Sequence, residues 1–564
     1  MRHPTALLSD TLGVPEPTLR LLTTILLAYP VAAGFRYLYA QPSQTALQED
    51  TKEGFTRTVN ARNRYIAISG LALATYFSGW NMYHGLVTLI VSYGLCLAFQ
   101  KKREMAVATV WIFNTAYLLT GYYTMASNDY DISWTMPQCI ICLRLMGFSM
   151  DFMDGKVDPA DAAAATPAPS AIVATSTTTT STTTTTATTV MEGTPTATQT
   201  PTHPVDDNRT KNRVSVTSST ETTVATSADS SSSSSSSTRP LSFGSNTALI
   251  DLPSFSHMVA YCFYPSAFLI GPQFSFSLYQ EWLFFYDTQG SASKKSKQQY
   301  KYAQTCLCWA VGYLILQQLV GAHYPTSYLL TSDYASLSPL HRFGIFWLAG
   351  KFVFTKYLGV WLLTEGATTL FGIGYEGQTP TADHSFEGLA NVNPIKYETA
   401  TSLEHIIGSF NINTNMWSKY YVFKRLRWMG SKTASQIGTL AFLAIWHGFH
   451  YGYFTTFLLE FLDVTAEGIL RKWVIYAETR MGNKDATRGV FSWRIRHALA
   501  WFLCTSTLFY AGVGFDLLSI SSSWVAYRQV YYFGHVGLVV LFASSFFFPR
   551  SSVTKVQRKD RKTD

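Results

Sequence analysis

The feature that most constrains this chain is a succession of long apolar segments separated by short polar ones. Only 14% of the 564 residues are charged, and 47% are hydrophobic, whereas soluble chains carry about 25% charged residues. A helix needs roughly 20 mostly apolar residues to cross a bilayer, and about nine to eleven segments reach or approach that length. The sequence therefore predicts an all-α polytopic membrane protein, a bundle of transmembrane or re-entrant helices.

The apolar segments divide into clear spans and less regular stretches. Predicted spans cover 21–40, two helices within 65–99, and then 106–126, 255–270, 302–321, 343–363, 436–462, 498–518 and 530–548. We place the bend between the two helices of 65–99 at Gly79, Trp80 and Asn81. Segment 134–148 is predicted to be tilted or re-entrant, because its Arg144 needs a partner or water. The less apolar stretch 375–421 predicts short helices or a re-entrant layer.

A change of composition divides the chain into regions. Residues 155–239 are rich in Ser, Thr, Ala and Pro, with Thr runs at 177–180 and 182–186 and a Ser run at 230–237. Such a segment cannot bury enough apolar surface to offset its chain entropy, so we expect a disordered insertion loop. It separates N-terminal transmembrane helices at 1–154 from a transmembrane core at 240–550, which is followed by a basic tail at 551–564.

The main candidate for chemistry is a histidine near the middle of segment 436–462. His447 would lie deep in the membrane, where ionisable groups are costly and usually face a cavity, a partner or a pathway. A neutral imidazole suits a general base. On a continuous helix, His450 and Tyr451 would share its face, and Trp446 would lie beside it. From the residues alone, a structural hydrogen-bonding role for His447 stays open.

Three asparagines form a second candidate group upstream of the histidine. Asn411, Asn413 and Asn415 alternate with Ile412 and Thr414. An asparagine amide can stabilise an oxyanion or orient a hydroxyl group without adding a buried charge. The structural alternative is that these residues form turns and helix caps.

Basic residues lie between the two groups, and they provide candidates for phosphate binding. They are Lys419, Lys424, Arg425, Arg427 and Lys432. The alternative is ordinary cytosolic-side charge beside a membrane helix. The seven cysteines lack the spacing of a zinc site, and no phosphate-binding loop, HExxH or GxSxG motif is present. The sequence shows no basic, folded surface outside the apolar segments, and so it does not indicate nucleic-acid binding.

Several stretches resemble the membrane-bound O-acyltransferase (MBOAT) family, and in particular its lysophospholipid acyltransferase branch. The motifs that carry the resemblance are FNINTNMW at 410–417, YVFKRL at 421–426 and FLAIWHGFHYGY at 442–453. Further similar stretches lie at 19–30, 132–155 and 264–279. Nearly the whole chain is covered except the Ser/Thr-rich loop.

The resemblance implies a fold and a reaction. We expect an MBOAT-like bundle around a buried catalytic chamber, multi-pass in the endoplasmic reticulum membrane. The family transfers an acyl chain from acyl-CoA to a hydroxyl group, here the sn-2 glycerol hydroxyl of a lysophospholipid such as lysophosphatidylcholine. The expected partners are therefore acyl-CoA, a lysophospholipid and the bilayer. No metal and no cofactor beyond acyl-CoA as co-substrate is implied.

The resemblance also assigns residues. It implies an Asn and His catalytic pair, Asn411 and His447, with Asn413 and Asn415 as the fallback choices. Supporting or substrate-binding candidates are Trp446, His450, Tyr451, Lys424 and Arg425. A different acceptor (a sterol, a diacylglycerol or a protein) remains an alternative. A membrane transporter is a further one, although the sequence has no internal repeat of the kind many transporters contain.

Overall fold

A computed structural model describes residues 5–12, 14–39, 52–125, 132–156, 242–243, 247–285, 293–379, 382–480 and 490–548. The predictions made for the tail at 551–564 and for nearly all of the loop at 155–239 lie outside these residues. Within the described part the all-α class is confirmed. The only strands there are β1 (Gly377–Thr379) and β2 (Ala382–Ser385), which pair antiparallel.

The α-helices of the described part follow in chain order. They are α1 (Ala6–Leu12), α2 (Glu16–Tyr39), α3 (Lys52–Ser78), α4 (Tyr83–Ala98), α5 (Arg103–Thr124), α6 (Thr135–Asp154), α7 (Phe255–Cys262), α8 (Phe276–Phe285), α9 (Ser293–Leu319), α10 (Ser332–Ser336), α11 (Pro339–Phe371), α12 (Pro394–Glu398), α13 (Leu403–Ile407), α14 (Ile412–Ser418), α15 (Lys432–His447), α16 (Tyr451–Arg480), α17 (Val490–Leu517), α18 (Ile520–Gln529) and α19 (Phe533–Phe546). The short helices predicted within 375–421 correspond to α12, α13 and α14.

Five of these helical segments are long and apolar enough to cross a membrane. Among the described residues they are Glu16–Tyr39, Glu53–Ala98, Lys294–Leu330, Pro339–Phe371 and Trp493–Leu517. Helices α18 and α19 satisfy the same criterion only as a pair, and they are bent by 83° relative to each other. The predicted span 106–126 is the continuous 22-residue helix α5, which is not among these five, and segments 255–270 and 436–462 are interrupted.

The helix is interrupted near Gly79 as predicted, although α3 and α4 together form the single apolar segment Glu53–Ala98 and no sharp bend separates them. Helix α3 ends at Ser78, a 3₁₀ turn covers Gly79–Met82, and α4 begins at Tyr83. Gly79 has a φ of +57°, which glycine adopts without the steric penalty of a Cβ atom. Trp80 is 93% exposed. The interruption therefore lies at the surface of the bundle.

Helix α6 lies inside the bundle, and most of its residues are buried. Its Arg144 donates hydrogen bonds to three backbone carbonyl groups, those of Tyr261 (2.7 Å), Cys262 (3.2 Å) and Ala267 (2.9 Å). A guanidinium group offers five N–H donors in a fixed plane, so one side chain can serve several carbonyl groups. Arg144 thus finds its partners at the end of α7 and in the turn that follows it.

That turn corrects the prediction of a continuous span at 255–270. Helix α7 ends at Cys262, and the chain continues without an α-helix until Phe276. Pro265 disfavours helical geometry at the residue before it, and Pro272 adds a second interruption. The carbonyl groups released from helical hydrogen bonding accept from Arg144 instead. The apolar segment is therefore a short helix and a packed turn.

A second correction concerns segment 436–462, which is not one helix. Helix α15 ends at His447, and α16 begins at Tyr451. Gly448 between them has φ +129° and ψ −168°, a backbone region that is essentially restricted to glycine. His450 and Tyr451 consequently do not extend the helix face that carries His447, and the prediction of one shared face is wrong.

The contact between α3 and the end of α7 generates a test of the packing. A Cβ atom on Gly70 would lie 1.6 Å from the carbonyl oxygen of Phe263. Gly70→Ala is therefore expected to lower the free energy of unfolding by about 1–3 kcal/mol through overpacking. Gly94→Ala, at a helical position with no atom within 4 Å of the new Cβ, is the control. Equal melting temperatures for the two variants in one detergent would contradict this close contact.

Candidate active site

His447 is the last residue of α15, and aromatic rings surround its imidazole. The ring centroids of Trp446, Tyr453, Phe457 and Phe515 lie 4.7, 5.4, 5.5 and 5.2 Å from its own. These rings come from α15, α16 and α17. Among the described residues, none hydrogen-bonds to either ring nitrogen of His447. Packing therefore holds the imidazole in place, and its nitrogen atoms are not committed to a structural hydrogen bond.

Trp446 fixes the end of α15 to neighbouring helices. Its indole Nε1 donates to the carbonyl of Cys139 in α6 at 3.1 Å. The hydroxyl of Tyr122 in α5 donates to the carbonyl of Trp446 at 2.9 Å. The indole N–H and the carbonyl group of this buried tryptophan thus both bind neighbouring helices. Its observed contacts anchor the segment that carries His447.

Asn411 has an unusual backbone for a residue other than glycine. It lies directly before α14 with φ 47° and ψ 45°, the left-handed conformation. Asparagine tolerates this region better than most residues, and such conformations are concentrated at functional sites. Its side chain forms no cap hydrogen bond. The amide of Asn411 therefore does not act as a helix cap, which was the structural alternative that the sequence left open.

The amides of the other two asparagines bind neighbouring protein groups. The Nδ2 of Asn413 donates to the carbonyl groups of Leu389 (3.2 Å) and Ala390 (2.9 Å) and to Oδ1 of Asn391 (3.2 Å). The Nδ2 of Asn415 donates to the carbonyl groups of Ile407 and Phe410, at 3.1 and 2.8 Å. The three amides, which are alike in sequence pattern, therefore differ in the partners that they bind.

A π-helical segment (Lys419–Phe423) and a 3₁₀ turn (Arg425–Met429) connect α14 to α15. The indole Nε1 of Trp417 donates to the carbonyl of Leu143 at 3.0 Å. The hydroxyl of Tyr421 lies 2.8 Å from both carboxylate oxygens of Asp151. Leu143 and Asp151 belong to α6, which also accepts the Trp446 hydrogen bond. One helix therefore fixes the segments that carry Asn411 and His447.

The basic candidates have different environments. Lys424 is exposed, and its ammonium lies 3.9 Å from the ring centroid of Tyr420. Arg425 forms an ion pair with Asp154 at the end of α6. The Arg425 charge is therefore partly balanced within the protein, whereas Lys424 and the exposed Arg427 extend from the surface.

His450 and Tyr451 lie next to the histidine site but outside its ring of contacts. His450 belongs to the short link between α15 and α16, and its ring packs 5.8 Å from that of Tyr453. Tyr451 is 68% exposed. Neither side chain has a ring contact with His447 among the described residues. The structure separates these two sequence candidates from the imidazole.

Sequence reasoning missed several residues that contact the site. Tyr453 and Phe457 are four positions apart in α16 and share one face of that helix, and this spacing is visible in the sequence. Phe515 belongs to α17, and nothing in its own sequence context links it to His447. Asp151 was also missed as the partner of Tyr421.

Comparison with known proteins places the chain in a family. A family model for membrane-bound O-acyltransferases matches residues 119–510, which include both Asn411 and His447. The chain therefore belongs to the membrane-bound O-acyltransferase family, and the predicted family and the predicted multi-pass membrane character are confirmed.

Individual relatives carry more specific names. Lysophospholipid acyltransferase 5 of Drosophila melanogaster is 30% identical over 464 residues, which are 82% of this chain and 73% of the relative. The protein of the same name from Rattus norvegicus is 28% identical over 558 residues, 98% of this chain and 93% of the relative. A lysophospholipid acyltransferase of Schizosaccharomyces pombe is 27% identical over 310 residues, 54% and 60% of the two chains.

The asparagine contacts predict an order of stability. Asn413→Ala should lower the free energy of unfolding by about 1–3 kcal/mol, because buried acceptors lose their donor. Asn411→Gly should change it by less than about 0.5 kcal/mol, since glycine adopts the left-handed conformation readily and no cap bond is lost. Thermal unfolding in one detergent measures both. A loss for Asn411→Gly as large as that for Asn413→Ala would assign Asn411 a structural role.

Proposed function

We propose that this protein is a lysophospholipid O-acyltransferase that uses acyl-CoA as the acyl donor. The observation that supports the proposal is that His447 and Asn411, whose side chains have no hydrogen-bond partner among the described residues, belong to segments fixed to the same helix. The acceptor is supported by the relatives named lysophospholipid acyltransferase 5, one of which aligns with 98% of the chain. The location that we propose is the endoplasmic reticulum membrane.

In this reaction His447 acts as a general base. It removes the proton from the free glycerol hydroxyl, and that oxygen attacks the thioester carbonyl carbon of acyl-CoA. The new carbon–oxygen bond forms as the carbon–sulfur bond breaks, and the proton passes from the imidazole to the CoA sulfur. Atoms and charges balance without a covalent acyl-enzyme. Correct placement of a base of this kind contributes about 100- to 10,000-fold to the rate.

Asn411 provides the amide that acts beside the histidine. Its Nδ2 orients the acceptor hydroxyl or stabilises the oxyanion that develops on the thioester carbonyl oxygen. A neutral amide does so without bringing a further charge into the bundle. Its left-handed backbone and the absence of a cap bond support this assignment over Asn413 and Asn415, whose amides bind neighbouring backbone.

The aromatic surroundings of His447 favour acyl transfer over hydrolysis. Four rings from three helices pack around the imidazole. Such walls limit the access of water, which would compete with the lipid hydroxyl for the thioester. A lysophospholipid enters from the membrane and brings its own hydroxyl group. We propose the sn-2 hydroxyl as the acceptor, and the exposed Lys424 and Arg427 as partners for the CoA phosphates.

The alternative of a transporter has less support. Three basic side chains, Arg144, Lys351 and Lys356, lie within apolar segments, where groups that line an ion or substrate pathway would also lie. The ammonium of Lys351 lies 2.6 Å from the carboxylate of Glu398, and that of Lys356 lies 2.7 Å from Asp516. Arg144 binds backbone carbonyl groups. These charges have partners in the protein, as expected of groups that stabilise a bundle.

A panel of acceptors tests the proposed reaction. We expect the purified protein with acyl-CoA to acylate lysophospholipids and to leave a sterol, a diacylglycerol and an acceptor peptide unmodified. The comparison of 1-acyl with 2-acyl lysophospholipid isomers reports the position, and the 1-acyl isomer should be consumed faster. Product lipids are measured by mass spectrometry. Acylation of the sterol or the peptide in preference to every lysophospholipid would overturn the proposed acceptor.

The role of His447 is tested by substitution. His447→Ala should lower turnover by about 100- to 10,000-fold through loss of the general base. His450→Ala is the matched comparison, because His450 belongs to the adjoining link and does not contact the His447 ring. Initial rates are measured per folded protein, quantified by size-exclusion chromatography. If His447→Ala retained normal turnover and His450→Ala did not, the base would be His450.

A further inference from the structure

A buried carboxyl group in a membrane helix has no part in the mechanism above. Glu365 belongs to α11 and is 2% exposed. It lies in the segment Pro339–Phe371, which is long and apolar enough to span the membrane. Carboxyl groups in such places are costly unless other groups satisfy them, and they usually have a function. The partners of Glu365 therefore indicate what it does.

Donors from two directions meet the carboxyl group. Its Oε1 accepts from the hydroxyl of Tyr302 at 2.7 Å and from the thiol of Cys306 at 3.4 Å. Its Oε2 accepts from the backbone N–H groups of Asn391 at 2.7 Å and Val392 at 3.3 Å. One oxygen thus faces α9, and the other fixes residues 391–392 to α11.

The two residues held by Glu365 in turn hold the backbone on both sides of Asn411. The carbonyl of Asn391 accepts from the N–H of Ile412 at 3.0 Å. Oδ1 of Asn391 accepts from the N–H of Asn413 at 3.1 Å. Val392 forms an antiparallel bridge with Phe410. Residues immediately before and after Asn411 are therefore bound to the segment that Glu365 holds.

This arrangement accounts for the conformation of Asn411. A left-handed backbone at a residue other than glycine persists where the surrounding structure over-determines it. Here the constraint comes from Phe410 on one side and from Ile412 and Asn413 on the other. A catalytic group displaced by about 1 Å can lose about 100-fold in rate. The amide of Asn411 can act only if its backbone is placed accurately.

We propose that Glu365 is a positioning residue for Asn411: its Oε2 fixes residues 391–392, and these hold Asn411 in the left-handed conformation that presents its amide to the reaction. The inference rests on the catalytic role proposed for Asn411. In this role Glu365 fixes geometry and transfers no proton. Substitution by Gln or by Leu distinguishes the two possibilities.

The test compares two substitutions of one side chain. Glu365→Gln keeps a carbonyl oxygen for the N–H groups of residues 391–392, and its amide can donate to the Tyr302 oxygen. Glu365→Leu removes the acceptor. We expect Glu365→Leu to lower kcat by about 10- to 100-fold, with the KM values for acyl-CoA and lysophospholipid within about threefold of wild type. Glu365→Gln should retain at least about a third of the wild-type kcat, because the geometry is preserved.

A neighbouring polar contact provides the control for general damage to the bundle. The Nε2 of Gln299 donates to the carbonyl groups of Thr369 and Leu370 near the end of α11, at 2.7 and 3.1 Å. It makes no hydrogen bond to residues 391–392. Gln299→Leu should lower the melting temperature and leave kcat per folded molecule unchanged. Loss of kcat in Gln299→Leu equal to that in Glu365→Leu would overturn the positioning role.

A second variant keeps the proposal testable if Glu365→Leu does not fold. Asn391→Leu removes the Oδ1 acceptor and leaves the backbone N–H bond to Glu365, so it should also lower kcat. In the Asn411→Gly background, itself expected to lose about 100-fold or more, Asn391→Leu should have no further effect on kcat, because both changes act through one amide. Multiplicative losses would overturn the inference.

The outcomes separate the inference from the proposed function. If Glu365→Gln were as inactive as Glu365→Leu while folded, an ionisable role would replace the geometric one. If Asn411→Gly lost turnover and Asn391→Leu did not, the positioning role would fail and the catalytic assignment would stand. If Asn411→Gly kept full turnover, the catalytic assignment would fail first.

Discussion

Two irregular backbone segments inside this bundle are held by ionisable side chains that project from helices. Peptide groups without helical partners are costly away from water, so non-helical segments persist at membrane depth only where protein or a water-filled cavity satisfies them. Arg144 on α6 binds carbonyl groups at the end of α7 and in the turn that follows, and Glu365 on α11 binds the N–H groups of residues 391–392. The guanidinium of Arg144 donates to carbonyl groups, and the carboxyl group of Glu365 accepts from N–H groups. The two segments that interrupt the bundle therefore stay ordered.

Helix α6 sets the spacing of the candidate site in addition to holding a turn. Two indole groups, from Trp446 and Trp417, donate to its carbonyl groups at Cys139 and Leu143. Those carbonyl groups are four residues apart, about one helical turn of roughly 5.4 Å. Trp446 directly precedes His447, and Trp417 lies near the end of the helix that follows Asn411. The rise of one helix, α6, therefore sets the distance between the anchor points of the two segments. The carboxylate of Asp151, also in α6, adds a third contact by accepting a hydrogen bond from the hydroxyl of Tyr421.

The sequence predicts much of this arrangement, and the reasons for the failures are physical. Hydropathy identifies the long spans, and the motifs around 411 and 447 identify the family and the candidate residues. The break at Gly448 escapes hydropathy because glycine is common in membrane helices, and only the backbone conformation shows that this one ends a helix. Pro265 and Pro272 indicate a turn after Cys262, but the prediction of a continuous span rested on hydropathy alone. The partners of Glu365 and Asp151 could not be predicted from local sequence patterns. Tyr421, for example, is 270 residues away from Asp151.

The charged residues of α11 explain why a single helix can influence the candidate site without contributing to its chemistry. Lys351, Lys356 and Glu365 each bind a different part of the chain: α12, the end of α17, and residues 391–392. The two lysine pairs are partly exposed, whereas Glu365 is buried. Leaving buried polar groups without their partners is costly, so the contact of Glu365 resists displacement most strongly. Helix α17 also supplies Phe515 to the His447 ring, while residues 391–392 hold the Asn411 backbone. A shift of α11 would therefore disturb both halves of the proposed catalytic pair, because the same helix is bonded to the supports of each.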